Sequence, residues 1–215
     1  MKNGIDTNRQ TGSAATCLKQ NGIDFVFRYC SPSTHNPNKN LTASEAAALS
    51  AANLEIGVIF EDSPKKVTVA YFTNARGQQD GTNAWNFTQT VGQPAGSCVY
   101  FAVDFDAAPE EIDAILDYFR GVQTGMNTAA GGASAYAIGV YGSGIVCQAV
   151  KQDNGLATFS WLTLSQAWGG VKTYAGWDVN QANSTAALCG LTIAAYDEDQ
   201  SQDNFGGFSY QPPQP

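Results

Sequence analysis

Eight times along the chain a short apolar run gives way to a polar turn and a stretch able to form a helix. The runs recur at intervals of roughly 25 residues, the spacing of strand–helix units that close into a parallel barrel rather than an open sheet. The sharpest run is Cys98-Val99-Tyr100-Phe101-Ala102-Val103-Asp104-Phe105-Asp106. Its apolar start, rich in β-branched and aromatic residues, reads as a strand buried on both faces. Its end carries two acids. Strand alternation predicts that Asp104 and Asp106 project to the same side, roughly 7 Å apart. Pro109 and Glu110 then open a helix. Carboxyls at the end of a buried strand are costly unless water or a polar ligand meets them. One alone would read as a helix cap, and Asp106 is near enough to be one; the pair points to a site.

The remaining runs follow the same plan. Residues 4–8 read as a first strand with Asp6 at its C-terminal end, and Phe25–Cys30 as a second. Arg28 lies within that second strand. It reads either as half of a structural ion pair or as a brace to an acid of the site. Residues 56–61 end in Glu61, 137–143 and 159–164 form the fifth and sixth strands, 174–181 a seventh ending at Gln181, and 191–196 an eighth running into Asp197 and Asp199. Helices are predicted over 14–20, over 46–53 behind the capping spacing Thr42-Ala43-Ser44-Glu45, over 81–91 after a loop and helix start at 71–80, over 109–126 and over 144–151. The expected architecture is α/β: one (β/α)8 barrel of the TIM type, open to modification, over residues 1–200, with an acidic cleft at the C-terminal ends of the strands. Residues 201–215 read as a polar, Pro/Gly-rich tail, ordered only where it packs on the barrel.

Composition narrows the partners. The net charge is −8, with 11 Lys and Arg against 19 acids, which argues against nucleic acid and anionic membrane. No apolar run is long enough to span a bilayer. No Gly-rich nucleotide or phosphate loop is present, and no cofactor or metal is expected. The five cysteines show no metal spacing with the single His35, itself read as a surface-loop residue. An odd count leaves one thiol free unless chains pair; Cys30 and Cys98 read as buried small hydrophobes. Scarce lysine and Asn-x-Ser/Thr triplets at Asn40, Asn86 and Asn183 lean towards export. An extracellular or cell-wall-associated monomer is expected, its leader absent from this sequence because Gly4-Ile5-Asp6 already reads as core.

Taken together, Gly4-Ile5-Asp6-Thr7, Phe25-Val26-Phe27-Arg28-Tyr29, the Val99–Asp106 run, Gly139-Val140-Tyr141-Gly142 and Trp161-Leu162 make the chain resemble a glycoside-hydrolase-like family, domain of unknown function 1906. That family is similar to the glycoside hydrolase family 25 muramidases. The resemblance implies a modified barrel, a polysaccharide ligand and catalytic acids at Asp6, Asp104, Asp106 and Asp197, with Asp199 the alternative late acid. It departs at Asp106, where a muramidase has Glu as proton donor, one methylene longer. Arg28, Glu61, Tyr141, Trp161, Trp177, Gln181 and Asp199 are the expected substrate-binding set, although the aromatics read equally well as core. The first functional expectation is a glycosidase acting on a β-linked amino-sugar polysaccharide such as peptidoglycan. The second is a non-catalytic glycan-binding barrel, favoured by the shortened acid. A divalent-metal site is a weaker third, without looped ligand spacing.

Overall fold

The computed structural model describes residues 1–32, 39–62 and 66–212; His35 lies outside them. Eight strands close into a barrel in sequence order: β1 (Lys2–Asp6), β2 (Phe25–Cys30), β3 (Glu55–Phe60), β4 (Cys98–Ala102), β5 (Ala137–Gly142), β6 (Phe159–Leu162), β7 (Val179–Asn183) and β8 (Asp197–Ser201). Strands β1 to β7 run parallel. β8 runs antiparallel to both of its neighbours, β7 and β1. This corrects the expectation of a strand over 191–196: β8 begins at Asp197. The reversal matters for the site, because the start of an antiparallel strand lies at the same rim as the ends of its parallel neighbours.

Five helices cover the parallel side: α1 (Ala15–Gln20), α2 (Ala43–Ala51), α3 (Asn74–Val91), α4 (Ile112–Ala130) and α5 (Gly144–Cys147), which widens into a π-helical turn over Gln148–Asp153. Among the described residues no helix follows β6 or β7. On that flank a Cys17–Cys189 disulfide, spanning 172 residues of sequence, ties α1 to the β7–β8 connection. A crosslink of that span acts chiefly by restricting the unfolded chain. Cys30, Cys98 and Cys147 are free and buried.

The alternation of each strand divides the core. Val26, Ile56, Val58, Val99 and Phe101 face outward onto the helices, against Leu49, Ile115, Phe119 and Val122. Phe25, Phe27, Ile59, Tyr100, Trp161 and Phe205 fill the barrel itself. Phe27 packs on Trp161 with ring centroids 4.2 Å apart and edge-on to Tyr100 at 5.2 Å. Glycines make room for these rings. A Cβ at Gly57 would lie 2.3 Å from the Phe27 ring, and one at Gly139 2.5 Å from the Tyr100 ring.

Helix α3 starts at Asn74, capped by Thr73, within the 71–80 stretch expected to hold a loop and a helix start, and runs on without a break. The glycines that weaken its propensity serve close packing. Gly77 and Gly81 meet the α4 backbone, and Gly121 and Gly125 of α4 meet that of α3; a Cβ at any of them would fall within 2.0–2.3 Å of a carbonyl oxygen. Tertiary packing thus overrides the local cost of glycine. The tail plugs the barrel's far end. Phe205 is buried against Phe25 at 4.6 Å, its carbonyl accepts the Tyr100 hydroxyl at 2.7 Å, and Phe208 exchanges backbone bonds with Ile56 at 2.8 and 2.9 Å.

Candidate functional site

At the rim where β1 to β7 end and β8 begins lies a cavity of about 280 Å³. Four carboxyls line it: Asp6 from the end of β1, Glu61 just past β3, Asp104 past β4 and Asp197 opening β8. Tyr29, Tyr141, Trp161, Thr163 and Gln181 complete the polar and aromatic wall. The register explains the convergence. Asp6 pairs across the sheet with Asp197, and one rung deeper Gly4 and Gln181 flank Asp199. Residues two apart share a face, so Asp197 and Asp199 both point inward, one above the other.

The floor is a hydrogen-bonded acid pair. Gln181 Nε2 donates to Asp6 Oδ2 at 2.7 Å, and its Oε1 lies 3.0 Å from the Tyr141 hydroxyl and accepts the Leu164 N–H at 3.3 Å. The Leu164 N–H can only donate, which fixes the orientation of the amide. The Tyr141 hydroxyl also lies 3.0 Å from Thr163 Oγ1; with one proton it donates to Gln181 and accepts from Thr163. Trp161 Nε1 donates to Asp199 Oδ1 at 3.0 Å. Asp199 Oδ2 is buried without a donor, yet the Asp6 and Asp199 carboxyls lie against one another as hydrogen-bonding partners. Both observations hold together when one of the two carries a proton.

Burial is the first cause of every shift here. It lifts Asp6 from the ordinary carboxylate value to about 7; the Gln181 bond opposes this, while the Asp197 and Glu61 charges reinforce it. Asp199 is held well above its ordinary value by burial and then by the charge of Asp6. Asp197 is raised by burial. Asp104 is open to solvent by area, but partial desolvation of its carboxyl, followed by the Glu61 charge, raises it; Lys39 opposes. Lys39 Nζ pairs with Glu61 Oε2 and sits 4.1 Å over the Tyr29 ring.

Asp6, Asp104, Asp197, Glu61, Tyr141, Trp161 and Gln181 therefore meet around one cavity, with Asp199 beneath. Asp106, Arg28 and Trp177 do not line it. The expectation that Asp104 and Asp106 project side by side fails because β4 ends at Ala102 and the chain has left strand geometry before either acid. Asp106 is exposed and accepts the Gly169 N–H at 2.9 Å. Arg28 faces the opposite side of β2 from Phe27. Fully buried, it donates from Nε to Glu45 of α2 at 3.0 Å and from Nη1 to the carbonyl of Thr7, bracing the chain just after Asp6. Trp177 packs on the outer core. Trp161 is 1% exposed and forms the cavity floor rather than an open stacking platform. Tyr29 and Thr163 belong to the wall without being singled out in the sequence; alternation with Phe25 and Phe27 is the signal that places Tyr29 inside. Among the described residues, no three acids lie close enough together to hold a metal ion.

A closed barrel with a carboxylate-lined rim is the arrangement of glycoside-hydrolase-like domains, and the comparisons agree. Residues 16–204 match the family described as Rv2525c-like, glycoside hydrolase-like domain, and the chain belongs to it. It is 31% identical over 160 residues to the uncharacterized protein YbfG of Bacillus subtilis, covering 71% of this chain and 21% of that one. The chain spans about a fifth to a third of the length of the curated relatives it matches. The crystal structure of the Tat-secreted protein Rv2525c of Mycobacterium tuberculosis in complex with L-tartrate superposes with a TM-score of 0.79 at 18% identity, covering 96% of this chain and 98% of that one. A family 25 glycosyl hydrolase from Bacillus anthracis gives 0.60 at 11% identity, over 95% and 90%. At these identities the two structures show a shared fold.

Proposed function

We propose that the cleft binds and hydrolyses a β-linked amino-sugar polysaccharide such as the glycan strands of peptidoglycan. The observation that carries this reading is the convergence of four carboxyls on one cavity, several of them held towards the protonated form by burial and by each other. Asp104, the acid most open to the cleft, gives its proton to the bridging oxygen as the glycosidic C–O bond breaks. The Glu61 anion beside it favours that protonated state before the step. The single negative charge shared by Asp6 and Asp199 faces the positive charge that develops on the sugar. Water adds hydroxide to the anomeric carbon and its remaining proton restores Asp104. Gln181 and Tyr141 orient Asp6, and Asp197 binds sugar hydroxyls from the opposite wall.

A location outside the cytoplasm fits this reading: the chain carries a disulfide, and a fold neighbour is a Tat-secreted protein. A second reading, a glycan-binding barrel without turnover, is favoured by the placement of Asp106 outside the cavity on the Gly169 N–H. Release of reducing ends from purified peptidoglycan and from chitin oligomers separates the two. Turnover by the wild type that falls on the order of 100-fold or more in Asp104→Asn, with glycan binding retained, supports hydrolysis. Binding with no reducing ends released establishes the second reading.

A further inference from the structure

The last residue of the Gly4-Ile5-Asp6-Thr7 run has every polar atom engaged. Thr7, 2% exposed, lies one residue past the end of β1. Its N–H donates to the Phe27 carbonyl of β2 at 3.3 Å, and its carbonyl accepts Nη1 of the buried Arg28. Its hydroxyl accepts the Arg9 N–H at 3.1 Å and donates to the Ala195 carbonyl at 2.5 Å. A carbonyl can only accept, so the hydroxyl proton is committed to Ala195. The backbone of Thr7 is thus fixed by β2, and its side chain reaches across to the β7–β8 connection. That connection forms part of the cleft. Ala194, Ala195 and Tyr196 line a second, smaller cavity of about 140 Å³, which shares Asp6, Tyr29 and Asp197 with the first. Several bonds that shape the connection stay within it: the Ala195 N–H to the Thr192 carbonyl at 2.9 Å, the Ser184 hydroxyl to the Ile193 carbonyl, and the Tyr196 hydroxyl to the Ala186 carbonyl at 2.6 Å. The Cys17–Cys189 disulfide ties its far end to α1, and the Thr7 hydroxyl ties its cleft end to β1, two residues before Asp197.

We infer that Thr7 is a positioning residue of the cleft, its hydroxyl holding the wall that leads into Asp197 against the strand end that carries Asp6. This role rests on the glycan reading above and deepens it. Asp197 is the first residue of β8, and the ends of elements open most readily. Its contacts to sugar hydroxyls serve the bound substrate and the transition state alike, so a slack wall weakens binding without slowing bond cleavage once the sugar is seated. Asp6 keeps its place without this link, because Gln181 holds it from β7 at 2.7 Å.

The experiment compares the wild type with Thr7→Val, which keeps the branched shape and deletes the hydroxyl, and with Thr7→Ser, which keeps the hydroxyl. Soluble, sonicated peptidoglycan is the probe. Reducing-end release gives kcat and KM, a binding titration gives Kd, and hydrogen–deuterium exchange follows the amides of residues 192–197. Thr7→Val should raise KM and Kd by about fivefold or more while kcat stays within about twofold. Exchange over 192–197 should quicken by about tenfold in the same variant. Thr7→Ser should match the wild type in all four measurements. A purely structural hydroxyl would lower the urea midpoint and leave KM and Kd unmoved well below the unfolding temperature. If Thr7→Val does not fold, Thr7→Ala carries the same expectation. Unchanged KM and Kd without the hydroxyl, or a Thr7→Ser variant as impaired as Thr7→Val, overturns the inference and leaves the glycan reading standing on the wild type. A wild type that binds without turnover leaves Kd and exchange to decide in the same way. A wild type that neither binds nor cleaves the glycan overturns both.

Discussion

Two buried carboxylates in this barrel are treated in opposite ways. Asp80, on α3, has a fully buried side chain. Its Oδ1 lies 2.8 Å from Arg76 Nε, a pair set by proximity rather than hydrogen-bond alignment, and its Oδ2 accepts the hydroxyls of Tyr71 at 2.8 Å and Tyr118 at 2.9 Å. Asp6 has Gln181 on one oxygen and three further acids nearby. Burial raises both. Around Asp80 the neighbours Arg76, Tyr71 and Tyr118 all oppose the shift, whereas around Asp6 the charges of Asp197 and Glu61 reinforce it. The first carboxylate is matched by the fold that buries it. The second is left for a ligand to match, which is how functional acids differ from structural ones.

The sharpest way to break that contrast is to remove a matching cation. Among the described residues, Arg28 and Glu45 form the most enclosed ion pair, with side chains 0% and 2% exposed. Arg28→Met should lower stability by about 3–5 kcal/mol in urea denaturation, the cost of stranding a buried charge. A loss below 1 kcal/mol would mean that matching does not matter in this outer layer. Next in size, Asp80→Asn keeps shape and removes charge. It should cost about 1–3 kcal/mol, because Arg76 loses the charge beside it and an amide NH2, which cannot accept, replaces one carboxylate oxygen.

The cleft should behave differently. Asp199→Asn removes a repulsive charge, so at pH 8 stability should hold or rise. The sign follows from linkage. Asp6 titrates at about 7 in the fold against about 3.9 in the unfolded chain, so between those values the native state binds more protons. The stabilisation is fully present below pH 4 and is lost as pH rises through 7. Asp199 adds a loss of the same sign. Urea midpoints measured from pH 4 to 8 should fall less steeply in Asp199→Asn than in the wild type. Parallel curves would remove the coupling.

The sequence carries much of this contrast, but unevenly. Parallel strands buried on both faces read as apolar runs, so β2 to β4 and the acids Asp6, Glu61 and Asp104 were visible at the rim. β8, with the sequence Asp-Glu-Asp-Gln-Ser, has no apolar run at all. Its antiparallel pairing alone places Asp197 beside Asp6 and drops Asp199 to the floor. Periodicity is uninformative there, since register is set across strands rather than along one. Asp106 was misplaced because alternation was extended beyond Ala102, where the strand ends. Arg28 and Trp177 have the residue types expected of a site, but the face each presents depends on where its strand or loop lies against the helices. The ambiguity at Arg28 resolves towards the structural ion pair, with Glu45, while its Nη1 bond goes to the Thr7 backbone carbonyl and not to a carboxyl of the site.

The smallest expected effect is also the most diagnostic. Gln181 is the donor that opposes the shift of Asp6, through a bond of 2.7 Å. Gln181→Met removes that donor while roughly keeping volume, so the Asp6–Asp199 pair should titrate at still higher pH. The direction follows because the lost bond favoured the ionised form. Tyr141 keeps its contact with Thr163 at 3.0 Å, so the stability cost should stay near that of one hydrogen bond, about 1 kcal/mol. Tyr118→Phe provides the matched control. It deletes a hydroxyl from Asp80 at a similar cost, but lies in the helical layer away from the cleft. Carboxyl carbon resonances followed by NMR from pH 4 to 9 should show the cleft's titration moving upward in Gln181→Met and unmoved in Tyr118→Phe. If both variants shift it equally, or neither does, Gln181 does not tune the pair, and the cleft acids would have to be read, like Asp80, as part of the scaffold.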